Sequence, residues 1–102
     1  MGQYLLRLYI TGKSAHSERA IANLRRLCAE ELDGRYDIEV IDLLEHPEMS
    51  ASERILATPT LIKALPLPMR RVIGDLSDTV RVLHGLELAG IEPNGSDTGA
   101  AP

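Results

Sequence analysis

The sequence contains neither phenylalanine nor tryptophan, and tyrosine is its only aromatic residue, with three copies among 102 residues. Apolar residues still make up 44% of the chain, a share typical of a globular protein. The core must therefore consist mainly of leucine, isoleucine, valine and alanine, with few large aromatic anchors. A chain of this length is expected to form one domain around one core.

Cysteine is almost absent, since Cys28 is the only one, and this excludes an internal disulfide and a dithiol redox site. Cys28 falls on the apolar side of a helical pattern, so we predict an inert core thiol; the alternative is an exposed reactive thiol. His16, His46 and His84 are scattered without a cysteine or carboxylate at ligand spacing. We therefore predict no metal site and no cofactor.

Long hydrophobic runs and a charged-then-apolar leader are also missing, so we predict a cytoplasmic protein without a membrane partner. The net charge of −4 and the lack of a readout motif argue against nucleic-acid binding. Residues 92–102 are small, polar and rich in proline and glycine, which predicts a disordered tail behind a single domain of residues 1–91.

Two short segments resemble parts of known functional motifs, but each lacks an element that the motif requires. Residues 12–14, Gly-Lys-Ser, end like a phosphate-binding loop, but Arg7 stands where that loop begins with glycine. Ser14 and Ser17 flank His16 as a nucleophile and a base would, yet there is no G-x-S-x-G elbow, and helix capping explains these serines better. We predict no catalytic residue and no enzymatic activity.

The first half of the chain reads as one βαβ unit. Residues 3–10 are almost continuously apolar, as in a central strand covered on both faces. Apolar positions at helical spacing predict a helix over residues 17–32, which Ser14 or Ser17 can cap. Residues 37–44 return to strand character, and the crossover should be right-handed.

The second half predicts a short helix, a hairpin and a last helix. Pro59 biases the preceding residue away from the helical region, so a helix opened by Pro47 should end near residue 56. Residues 60–65 and 69–73 would pair as antiparallel strands, and Ser77 would cap a helix ending near residue 90. The resulting order, βαβαββα, is that of an α/β thioredoxin-like fold, in which the peptide bond before this proline is usually cis.

Local preferences in this half are divided. Residues 61–65 have as much helical as strand character, Gly85 in mid-helix costs about 1 kcal/mol relative to alanine, and Val80 and Val82 are β-branched. Such conflict is compatible with a second packing within a few kcal/mol. It is also compatible with a mediocre helix that tertiary packing holds in place, which on pattern alone is the more common case.

Several short motifs occur in an order and spacing that resemble the KaiB family of bacterial circadian-clock proteins. They are LATPTL at 56–61, LPLPMRRVIGDLS at 65–77, LYITG at 8–12, VID at 40–42 and VLHGLEL at 82–88. The resemblance covers roughly residues 4–88. It implies two folds of one sequence: a ground state, often a homotetramer, with the order βαββααβ, and a thioredoxin-like monomer that binds partners.

The resemblance implies that the switching segment is about residues 48–88. Candidate switch residues are Pro59, Pro66, Pro68, Gly85, Glu87 and Gly90. Slow proline isomerisation is one reason for including the prolines. Gly90 stands where relatives usually have an aromatic residue, which weakens the last element of the ground state. We therefore expect the thioredoxin-like form to dominate.

The resemblance also implies a KaiC-like ATPase or kinase as partner. The matched basic positions that would dock on it are Arg19, Arg54, Lys63, Arg70 and Arg71. Without the resemblance, these residues would read as solvated charges that keep strand edges soluble. KaiA binding is doubtful, because Glu39 replaces a lysine common in cyanobacterial relatives and the acidic tail is missing.

Two other functions stay open at this point. One is a constitutively thioredoxin-like interaction module, resembling the sensor domain of a clock-output histidine kinase, that does not switch. The other is a redox enzyme that uses Cys28 alone.

Overall fold

The computed structural model describes residues 3–87, which form four strands and three helices. In chain order they are β1 Tyr4–Ile10, α1 Ala15–Glu31, β2 Tyr36–Asp42, α2 Glu48–Ser52, β3 Thr60–Leu65, β4 Arg70–Ile73 and α3 Thr79–Leu86. This βαβαββα order confirms the predicted thioredoxin-like fold and differs from the alternative order βαββααβ. Gly90 and the tail predicted at residues 92–102 lie outside the described residues.

The four strands form one mixed sheet with the strand order β2-β1-β3-β4. The strands β1 and β2 are parallel, whereas β3 runs antiparallel to both β1 and β4. The apolar run of β1 therefore lies in the centre, as its sequence predicts, and β2 and β4 form the edges. Neighbouring residues along each strand point to opposite faces.

Each face of the sheet has its own apolar cluster. The main core lies under α1 and α3 and includes Leu6, Leu8, Leu24, Leu27, Val82 and Leu86. The smaller cluster, on the other face, consists of Tyr9, Ile55 and Ile62 with partly buried neighbours. The main core is aliphatic apart from Tyr4 and Cys28, which confirms the prediction of a mainly aliphatic core; the one large aromatic that is fully buried within residues 3–87 is Tyr9, in the smaller cluster.

The helix α1 begins two residues before the predicted start. Ser14, one of the two expected caps, accepts a hydrogen bond from the Ser17 N–H at 3.1 Å and so satisfies a donor at the helix end. The helix ends at Glu31, where Asp33 and Gly34 follow with φ of 51° and 79°. None of the helices in residues 3–87 is long and apolar enough to span a lipid bilayer.

The last two helices differ from their predicted bounds. The helix α2 ends at Ser52 rather than near residue 56, because Arg54 has a left-handed φ of 55° that helical backbone does not adopt. The cap of α3 is Asp78, not Ser77: its carboxylate accepts from the Arg81 N–H at 3.1 Å. The Ser77 side chain and N–H both bond to the Asp75 carboxylate instead.

The peptide bond before Pro59 is cis, as expected for this position of a thioredoxin-like fold. The bonds before Pro66 and Pro68, in the turn between β3 and β4, are also cis. The Pro59 carbonyl accepts the Gly74 N–H at 2.9 Å, so the residue before β3 is tied to the residue after β4.

At Gly85, α3 approaches the sheet closely. A Cβ atom at this position would lie 2.7 Å from Cγ2 of Val72 in β4. Real Cβ atoms do not make contacts this short, and valine is stiff at χ1, so the neighbour cannot simply rotate away. Glycine here therefore allows close packing at the expense of helix propensity.

We expect the effect of Gly85→Ala on stability to depend on Val72. In the wild type, the contact should cancel or outweigh the gain of about 1 kcal/mol in helix propensity. In a Val72→Ala background the contact is gone, and Gly85→Ala should raise the free energy of unfolding by about 0.5–1 kcal/mol. Urea titrations of the four proteins measure this coupling, and equal effects in both backgrounds would contradict the packing argument.

Candidate functional site

The five basic candidates do not form one patch. Lys63 pairs with Arg70 across β3 and β4, and Lys63 also pairs with Leu6, a residue of the main core. Arg71, one residue further along β4, pairs with Ile62 of the smaller cluster and therefore lies on the opposite face. Sequence proximity suggested a single cluster, but strand alternation separates it into two.

Lys63 is the largest departure from expectation, because it was expected at the surface and is only 2% exposed. Its position beside Leu6 buries the aliphatic stem under α3, and its Nζ lies 3.4 Å from the Glu87 carbonyl oxygen. Burial lowers the pKa of Lys63, while the nearby Glu87 acts in the opposite direction. The ammonium thus lies at the carbonyl end of α3, where a helix favours positive charge.

Arg70 meets the same residue from β4. Its Nε donates to one carboxylate oxygen of Glu87 at 2.9 Å, and its Nη2 lies 2.8 Å from the same oxygen as part of the ion pair. Glu87 itself has a left-handed φ of 54° and ends α3. The switch candidate Glu87 therefore joins three elements, because its carbonyl meets Lys63 of β3 and its carboxylate meets Arg70 of β4.

Arg71 and Arg54 meet on the other face. The Arg71 guanidinium donates from Nη1 to the Arg54 carbonyl and from Nη2 to the Glu53 carbonyl, both at 3.0 Å. The Arg54 side chain is exposed and makes no hydrogen bond or ion pair with any residue between 3 and 87. Among the five candidates, it is the cation that the described part of the chain leaves unpaired.

Arg19 belongs to a third place, the contact between α1 and the segment that links β4 to α3. Its Nε donates to the Asp75 carboxylate at 3.3 Å, and Asn23 donates to the Asp75 carbonyl at 2.8 Å. Hydrogen bonds from Ser77, with a smaller contribution from Arg19, lower the pKa of Asp75. Asn23 was not identified from the sequence, since a contact 52 positions away leaves no local signal.

The other switch candidates lie around the hairpin. Pro59 precedes β3, whereas Pro66 and Pro68 lie in the turn between β3 and β4. This turn also carries exposed apolar side chains, of which Leu67 is 75% exposed and Met69 52%. Exposed apolar side chains therefore lie next to Arg70, the first residue of β4.

Cys28 is buried in the main core, and its burial raises the pKa of the thiol to about 12. The thiolate, which is the nucleophilic form, is therefore disfavoured. Ser14 caps α1, as the capping interpretation predicted, and its hydroxyl also bonds to that of Ser17, which lies inside the helix and is not a cap. Within residues 3–87 there is no group of three or more histidine, cysteine or acidic side chains placed to hold a metal ion.

We expect Cys28 to react with a thiol reagent only when the protein unfolds. A pKa of about 12 leaves roughly one thiolate in ten thousand molecules at pH 8, and the side chain is enclosed by the core. Labelling in buffer should be slow, and labelling in denaturant fast. Rapid modification of the folded protein would contradict this placement and would support the alternative of a redox enzyme that uses Cys28 alone.

Comparison with known proteins gives concordant results for sequence and fold. The KaiB domain model matches residues 7–88. Circadian clock protein KaiB3 of Synechocystis sp. is 52% identical over 88 residues, 86% of each chain. Circadian clock oscillator protein KaiB of Synechococcus elongatus is 48% identical over 94 residues, 92% of each chain.

Among solved structures, the N-terminal domain of SasA from Synechococcus elongatus superposes with a TM-score of 0.69 at 21% identity. The match covers 84% of this chain and 85% of that domain, and it bears on the fold alone. The resemblance read from short motifs is confirmed by the sequence relatives: the chain belongs to the KaiB family of non-enzymatic circadian-clock proteins.

Proposed function

We propose that this protein is a cytoplasmic adaptor that docks in its thioredoxin-like form on a KaiC-type ATPase or kinase and changes its timing or output. The observation that carries the proposal is the exposed Arg54, whose side chain has no partner within residues 3–87, in a member of a clock-protein family. Arg19, Lys63, Arg70 and Arg71 are held by contacts inside the protein.

These contacts indicate different roles for the five basic residues. Arg54 is the cation that reaches a partner without breaking an internal bond. The other four support the packing that presents it, and their substitution weakens docking through the fold. Lys63→Glu, for example, would place a second carboxylate at Glu87 under α3 and is therefore a test of packing rather than of contact.

Fold switching is the second element of the proposal. The alternative order βαββααβ would break the contacts of Gly85 with Val72 and of Glu87 with Lys63 and Arg70. A partner that recognises only the thioredoxin-like packing would then raise its population by its differential affinity for the two forms. The thioredoxin-like form is the monomer in this proposal, and the alternative packing is the homotetramer.

A second candidate is a constitutively thioredoxin-like interaction module that does not switch. The likeness of fold to the SasA N-terminal domain favours it. The two candidates differ in one property, which is exchange between two packings. Neither has a role for Cys28 or for a metal, and KaiA binding remains doubtful in both.

We expect Arg54→Glu to weaken binding to a purified KaiC-type ATPase by about tenfold or more, because it sets like charges against each other at the interface. The matched control is Arg25→Glu, which makes the same change in net charge on the exposed side of α1. Titration calorimetry or a labelled-protein binding assay measures both variants. Equal binding by Arg54→Glu and wild type would remove Arg54 as the docking cation.

Backbone amide spectra separate the two candidates. If the protein switches, residues 48–87 should give two sets of peaks whose ratio changes with protein concentration, while residues 3–42 change little. Addition of the KaiC-type ATPase should convert the second set into the thioredoxin-like one. A single set at every concentration would favour the constitutive module.

A further inference from the structure

Arg71 is placed to act on Arg54 rather than on a partner. Because Arg71 pairs with Ile62 on β3, its side chain leaves the edge strand β4 on the face that carries the Tyr9, Ile55 and Ile62 cluster. From there its guanidinium reaches the backbone just beyond the end of α2.

The carbonyls that Arg71 meets belong to the C-cap of α2, Glu53, and to the next residue, Arg54. The carbonyls of Met49, Ser50 and Ala51 accept N–H groups of the residues that follow them, whereas those of Glu53 and Arg54 lie beyond this ladder and are bound by the Arg71 side chain. One N–H from each terminal nitrogen of Arg71 satisfies the Glu53 and Arg54 carbonyls at 3.0 Å. A planar fork suits this pair of acceptors better than a single ammonium group.

The same backbone segment is held at its other end. The Ile55 N–H donates to the Ser50 carbonyl at 2.9 Å, and the Ile55 side chain is buried against Tyr9 and Ile62. Arg54 lies between these two attachments with a left-handed φ of 55°. That conformation costs a non-glycine residue on the order of 1–2 kcal/mol, so the surrounding bonds must maintain it.

We propose that Arg71 is a positioning residue for docking: its two hydrogen bonds fix the backbone from which Arg54 presents its charge to an acidic group of the partner. The inference rests on the proposed function, in which Arg54 is the contacting cation. Arg71 itself does not touch the partner. Its effect on binding therefore passes through Arg54 and disappears when Arg54 is removed.

A double-mutant cycle of Arg54→Ala and Arg71→Lys tests this on the purified KaiC-type ATPase. Lysine keeps the charge but loses the fork, so a loss of binding reports geometry rather than net charge. Arg71→Lys should weaken binding by about fivefold in the wild type and by less than about twofold in the Arg54→Ala background. Equal losses in both backgrounds would show that Arg71 contacts the partner directly and would overturn the inference.

Amide chemical shifts of the unbound variants supply the second readout. Arg71→Lys should shift residues 53–56 and leave α1 unchanged, which also verifies the fold. Where Arg71→Lys does not fold, Arg71→Gln, which retains an amide donor, takes its place in the cycle. Unchanged shifts at residues 53–56 would also overturn the inference. Absence of binding by the wild type would instead remove the proposed function, and the positioning role with it.

Discussion

The attachment of α3 to the β3–β4 hairpin is the constraint on which the rest of the second half depends. At one point the helix approaches β4 so closely that only glycine fits, where Gly85 meets Val72. At its carbonyl end, Glu87 receives Lys63 from one strand and Arg70 from the other. On the same helix, Val82 and Leu86 are fully buried in the main core. Without this attachment, Lys63 would be a buried cation with no acceptor, which is costly in an apolar core.

This attachment also affects which basic side chains have hydrogen-bond donors available at the surface. A basic residue whose donors are occupied by carbonyls or a carboxylate cannot meet a second acceptor as readily as one whose donors face solvent. Arg70, Arg71 and Lys63 are occupied in this way, each by a group on another element. The positively charged surface that the five basic candidates offer is therefore smaller than their number. In the proposed function, contact with an acidic partner is accordingly assigned mainly to Arg54.

The sequence was informative wherever structure is set by near neighbours. The apolar run of β1, the helical spacing and Ser14 cap of α1, and the strand bounds at Thr60–Leu65 all follow local rules and agree with the structure. The burial of Lys63 was not predictable in this way, because it depends on which residue of β1 pairs with it. A shift of one position in that pairing would have placed the lysine on the other face. The bonds of Arg71 to the carbonyls of Glu53 and Arg54 likewise join residues 17 or 18 positions apart through backbone atoms, which no residue type reveals.

The strength of the bonds that hold α3 is relevant to whether a partner can select this packing. The Arg70–Glu87 pair is about half exposed on both sides, and pairs of this kind contribute about 0–1 kcal/mol. Burial of Val82 and Leu86 contributes about 1.5–3 kcal/mol each, but a different packing of the same helix residues can bury them again. In the proposed switch, the free-energy difference between the two packings is thus a sum of small terms. A differential affinity of about 1.4 kcal/mol changes the population ratio tenfold, so ordinary docking energies are sufficient to move such an equilibrium.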